Sequence, residues 1–101
     1  MDKLLECILE NTTCVENRKL IKISENRVAI TVPKNTIERG KSYLIAIYIN
    51  ETDTPLILIR RAVKIGSSYG FLITSKVLRR LAEIPNIRVK ICILQQTPAS
   101  R

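Results

Sequence analysis

The chain contains no histidine, no tryptophan, three glycines and four aromatic residues in 101 positions. Each shortage excludes a class of chemistry. Without histidine there is no imidazole to activate a nucleophile or ligate a metal. Gly40, Gly66 and Gly70 are too few for a glycine-rich loop that cradles phosphate. Tyr43, Tyr48, Tyr69 and Phe71 are too scattered for a platform that stacks bases, which disfavours single-strand binding. Tyr69-Gly70-Phe71, read as a turn, is the one place that could serve it. No apolar run approaches the roughly 20 residues that span a bilayer. The start, Met1-Asp2-Lys3-Leu4-Leu5-Glu6, lacks the basic region and uninterrupted apolar run of a secretion signal. The expected location is the cytoplasm, away from membranes.

Cysteine is scarce and odd in number. The spacing of Cys7 and Cys14 matches no zinc knuckle, and the expectation for Cys7, Cys14 and Cys92 is reduced thiols. A Cys7–Cys14 disulfide is the alternative. Cys92, two residues from Lys90, is the one thiol weighed as a nucleophile, and an inert role is expected of it. The acidic residues are dispersed; Glu51 and Asp53 are close, but in a stretch that reads as a solvated connection. The chain is therefore expected not to be an enzyme, and to use no metal, cofactor or small-molecule substrate.

Branched aliphatics and positive charge are what the chain has in abundance. Hydrophobic residues make up 46%, and 17 Lys+Arg stand against 9 Asp+Glu, a net charge of +8. Such a composition builds one folded core rather than a disordered chain. Residues 1–17 hold one basic and four acidic side chains, whereas residues 18–101 hold 16 and five. The surplus thus belongs to the later part of the chain and points to an anionic partner, nucleic acid foremost.

Residues 2–10 place Leu4, Leu5, Ile8 and Leu9 at helical spacing, with Asp2, Glu6 and Glu10 elsewhere. This predicts a short amphipathic helix that must pack on something. Asn11-Thr12-Thr13 reads as a break. From residue 18 the period changes to two, with strands over 19–23 and 27–32 joined by the turn Ser24-Glu25-Asn26. A turn or so of helix is expected over 34–39, ended by Gly40. Residues 43–49 and 56–59 are apolar on both faces, which implies cover on both sides by a helix, a second sheet or another subunit. Strands at 63–65 and 70–74 follow, then a helix over 75–82 capped by Ser75, its Val77, Leu78 and Leu81 facing the core. A strand over 88–93 points Val89, Ile91 and Ile93 inward, and the tail from Gln95 is frayed.

The same order of elements occurs twice. Lys22-Ile23-Ser24-Glu25-Asn26 aligns with Lys64-Ile65-Gly66-Ser67-Ser68 at a spacing of 42 residues. The predicted fold is mainly β with short helices: a small closed barrel of two ββαβ-like units behind the N-terminal helix. Its divisions are 1–17 for the acidic helix and connection, 18–94 for the barrel and 95–101 for the tail. Within the barrel, unit one is 18–49, a linker strand is 56–61 and unit two is 62–94.

Arg27-Val28-Ala29-Ile30-Thr31-Val32-Pro33-Lys34 resembles the signature of SpoVT/AbrB-like domains, a basic turn, an apolar strand, then Pro and a short helix. Gly70 to Arg80 is similar to that family's strand, helix start and Leu-Arg-Arg pattern. Ser75 stands where Pro is usual and Phe71 where the turn Arg is usual. The resemblance covers residues 18–94 and implies a swapped-hairpin or double-psi-like barrel. It further implies a homodimeric prokaryotic protein that binds duplex DNA and regulates transcription. Carried onto this chain, the implied contacts centre on Lys76, Arg79 and Arg80 of the second helix, with Arg27 at the turn and Lys34 at the first helix start. Arg60, Arg61 and Lys64 extend the basic surface on flanking strands, since guanidinium and ammonium groups suit phosphate. The alternative is an adaptor barrel whose basic face meets an acidic protein. An antitoxin is less expected, because only a short tail follows Leu94.

Overall fold

The alternation of Ile, Leu and Val with polar residues produces eight strands and one short helix in the computed structural model, which describes residues 12–49 and 54–94. The expected helix over 2–10, the Glu51–Asp53 pair and the tail fall outside the described residues. The strands are β1 (Thr12–Lys19), β2 (Ile21–Lys22), β3 (Arg27–Val32), β4 (Ser42–Tyr48), β5 (Leu56–Arg61), β6 (Val63–Ile65), β7 (Ser68–Thr74) and β8 (Arg88–Leu94), with helix α1 (Lys76–Leu81) between β7 and β8. Sheet one has the order β1-β8-β4-β5 and sheet two the order β2-β3-β7-β6, antiparallel throughout. Exchanging each strand of the first half with its counterpart four strands later reverses each sheet onto itself. The chain order therefore carries a pseudo-two-fold axis through the β4–β8 and β3–β7 pairs. No helix among the described residues is long and apolar enough to cross a membrane.

The core lies between the sheets. Val28, Ile30 and Val32 of β3 meet Phe71 and Ile73 of β7, Ile45 and Ile47 of β4, and Val89, Ile91 and Ile93 of β8, all buried. Tyr43 packs edge-on to Phe71 with centroids 6.1 Å apart, and its hydroxyl accepts the Glu38 N–H at 2.8 Å, so the burial leaves that oxygen satisfied. The chain passes between sheets at Leu20 and Ala62, buried residues at the repeat spacing of 42. Asn17, with φ of 58°, makes a bulge in β1 between Val15 and Arg18. The bulge bends the strand toward sheet two. β2 pairs with β3 only at Ala29 and Val28, so the Thr31 carbonyl lies beyond the ladder. The Arg18 guanidinium takes it at 2.9 Å and the Thr31 hydroxyl at 3.1 Å.

Several expectations need correction. The break at Asn11–Thr13 and the connection up to residue 17 are extended chain from Thr12 onward. β1 is an edge strand with polar side chains and a bulge, which hides the period-two signal. The expected helix over 34–39 is a pair of turns, with Asn35 at φ 73° and Gly40 at φ 91°. A left-handed residue two places after Pro33 stops helical hydrogen bonding before it starts. In α1, Leu78 is buried but Val77 is 62% exposed, because six residues offer the core a single turn. Tyr69-Gly70-Phe71 is strand rather than turn, and Phe71 is wholly buried. The mainly β expectation itself holds, its strands forming two four-stranded hydrogen-bonded ladders.

The cysteine expectations fail as well. Cys14 and Cys92 are joined by a disulfide, so neither is a free thiol and a Cys7–Cys14 bond cannot form alongside it. The antiparallel register of β1 and β8 sets the two residues directly opposite each other. Their separation of 78 residues gives no local signal in the sequence.

Gly70 is fixed by a close approach of two backbones. A Cβ there would lie 2.1 Å from the Ile30 carbonyl oxygen and 2.7 Å from the Thr31 Cα. Gly70→Ala is expected to cost about 3 kcal/mol, read from urea denaturation, because backbone rather than a flexible side chain must give way. Gly66→Ala, with φ of 61° and open space around it, should cost about 1 kcal/mol from the left-handed conformation alone.

Candidate nucleic-acid interface

The antiparallel β3–β7 pair aligns Arg27 with Thr74, so the start of β3 lies beside the end of β7. The Ser75 N–H donates to the Asn26 carbonyl at 3.0 Å, tying the entry of α1 to the β2–β3 turn. Ser75 then caps the helix, its Oγ accepting the Leu78 N–H at 3.2 Å. This local geometry brings Arg27, Lys76, Arg79 and Arg80 to one end of sheet two, with Lys22 on the neighbouring β2. Arg27, Lys76 and Arg80 are exposed, and their side chains form no hydrogen bond or ion pair among the described residues.

Arg79 behaves differently. Its Nε donates to the Ser24 carbonyl at 2.7 Å, and Nη1 pairs with Glu83 one turn on. The side chain is 21% exposed. Arg79 therefore clamps α1 to the β2–β3 turn and has little freedom to reach a ligand. Lys22 lies 3.7 Å from the same carboxylate. The hydrogen bond from Arg79, with the charges of Lys22 and Arg79, holds the Glu83 carboxyl below the usual carboxylate range. Glu83 thus stays ionised and cancels part of the positive charge on the helix side of the cluster.

At the opposite end of β3 and β7, the turns after Val32 carry Lys34, Arg39 and Lys41 around a groove of about 630 Å³ also lined by Tyr43 and Tyr69. Lys64 pairs in register with Tyr69, and Arg60 with Tyr43 on the face that Tyr43 occupies. The turns are held against the sheet crossing by Gly40 N–H to Ala62 carbonyl at 2.9 Å and Ala62 N–H to Lys41 carbonyl at 2.8 Å. Lys41 pairs with Glu38, whose carboxylate raises its pKa. Arg60 donates to its neighbour's carbonyl at 2.8 Å, and Arg61 points outward on β5.

The eight candidate residues thus divide. Arg27, Lys76, Arg79 and Arg80 form one group, Lys34 lines the second with Lys64 and Arg60 paired in register to its Tyr69 and Tyr43, and Arg61 stands apart on sheet one. Sequence reasoning missed Arg39 and Lys41 in the second group. The usable signal was the pairing of Lys22 with Lys64 at the repeat spacing, which makes the turn after β3 the counterpart of α1. Comparison with protein-family models, with curated proteins and with solved structures returns no match, so the chemistry of this surface rests on its own residues.

Proposed function

We propose that the chain binds duplex DNA and acts as a cytoplasmic transcriptional regulator of the AbrB-like kind. The observation that carries the reading is the cluster of Arg27, Lys76 and Arg80: three exposed cations without carboxylate partners among the described residues, gathered on a hydrogen-bonded β3–β7–α1 junction. Cations on such a junction meet phosphate oxygens at little cost in loop ordering. The second cluster, at the pseudo-two-fold equivalent end, supports the same reading. Taken as bent strands through Leu20 and Ala62, β1–β2 and β5–β6 would complete a ring of pairings around the core. That ring would be the barrel expected of the family resemblance, with every strand of it drawn from one chain.

The test is fluorescence anisotropy with a labelled duplex. Arg27→Ala, Lys76→Ala and Arg80→Ala together should weaken binding about 100-fold at physiological salt, from the loss of three phosphate contacts. Arg79→Ala should instead lower stability and leave the affinity of the folded protein close to wild type. Equal affinity of the triple variant and wild type would remove this surface from the function. Capture of an acidic protein but no duplex would favour an adaptor instead.

A further inference from the structure

The outer face of sheet one is apolar, as the double-sided pattern of β4 and β5 requires. Its register aligns two rows across all four strands: Thr12–Leu94–Leu44–Ile59 and Cys14–Cys92–Ala46–Ile57. Ile57 and Ile59 are 59% and 65% exposed. Small side chains at Cys92 and Ala46 leave a trough of about 360 Å³ between Leu44 and Leu94 on one side and Tyr48 and Lys90 on the other. Lys90 sits 5.0 Å from the Tyr48 ring centroid, so that wall ends in charge while the floor stays apolar. The double-sided apolar pattern of β4 and β5 demands cover here, and no described residue provides it.

We propose that residues 2–10 of the same chain form an amphipathic helix that docks in this trough. Three observations select that occupant. The segment joins the sheet at Thr12, which itself borders the trough, so its docking requires a turn of one or two residues at Asn11. Nine helical residues extend roughly 13 Å, and crossing from β1 to β5 takes three strand spacings, roughly 14 Å. Leu4, Leu5, Ile8 and Leu9 form a single apolar stripe, leaving Glu6 and Glu10 on the side facing solvent and Asp2 at the stripe's edge, next to Leu9. A second copy of the chain fits less well. Two rows of four residues are far fewer than the roughly 20–30 per side that a stable interface uses.

Methyl NOE spectroscopy on the full chain tests the proposal. Contacts are expected from Leu4, Leu5, Ile8 and Leu9 to Leu44, Ile57 and Ile59. In a mixture of differently labelled chains they should arise within one molecule. Leu5→Glu with Leu9→Glu should abolish them and raise binding of an apolar fluorescent dye severalfold. The amide spectrum of β3 and β7 should be unchanged, which shows that the sheets stay folded. An absence of these contacts in the wild type overturns the proposal, and contacts found only between chains overturn it in favour of a dimer. Unchanged dye binding in the double variant, with the sheets folded, also overturns it.

Discussion

Reduction of the Cys14–Cys92 bond is expected to lower the unfolding free energy by about 4 kcal/mol. The bond joins residues 78 apart, close to the full length of the described chain. Closing so long a loop removes much of the conformational freedom of the unfolded state, and the entropic estimate for a loop of this size is about 4 kcal/mol. For a domain near 100 residues that corresponds to a Tm lower by roughly 20 °C. The bond also ties edge strand β1 to β8, where one side of the pairing includes a bulge and needs holding. Calorimetry of the oxidised and reduced protein measures the effect directly. Cys14→Ser with Cys92→Ser should match the reduced form and respond no further to reductant at that bond. A difference below about 1 kcal/mol would show that the strands hold their register without the covalent tie. The same experiment bears on compartment. In a reducing cytoplasm the bond persists only if its potential lies below that of the thiol pool. Titration against a glutathione series therefore decides which form prevails at a given redox poise.

The core was legible because its signal is local. Val28, Ile30 and Val32, or Val89, Ile91 and Ile93, alternate within a single strand, and the structure buries all six. Ser75 was legible as a cap for the same reason, since the group it satisfies lies three residues away. What escaped reading depends on partners distant in sequence. β1 is a strand because β8 stands beside it, and Cys14 finds Cys92 through that register rather than through spacing. Turns in place of a helix at 34–39 follow from two left-handed residues, a backbone choice the side chains do not announce. At the candidate interface, residue type identified Arg27, Lys76, Arg79 and Arg80, but could not separate them. Ser24 and Glu83 engage Arg79 while leaving its neighbour Arg80 exposed. That distinction gives Arg79 a structural role as a clamp, which residue type alone does not reveal.

The affinity of the folded protein for duplex DNA should fall about 10³-fold between 50 and 200 mM salt. The argument is counterion release: six phosphates neutralised give a log–log slope of roughly −5. Six is the number the geometry suggests. Arg27, Lys76 and Arg80 supply three exposed cations at one end of β3, and Lys34, Arg39 and Lys64 supply three at the other. A six-residue strand separates the two groups by roughly 20 Å. A duplex presents a phosphate on each strand about every 3.4 Å, so both groups can rest on one short stretch of duplex. Each half of the prediction can be measured separately. Removing the first group should bring the slope to about −2.5, and removing Lys34 and Lys64 should reduce it by about 2. Glu83 sharpens the test, because it is ionised beside the first group. Glu83→Gln should steepen the salt dependence, while weakening the clamp on Arg79. A slope near zero in the wild type, or one that no cluster variant changes, would mean that the positive charge of this chain serves something other than phosphate.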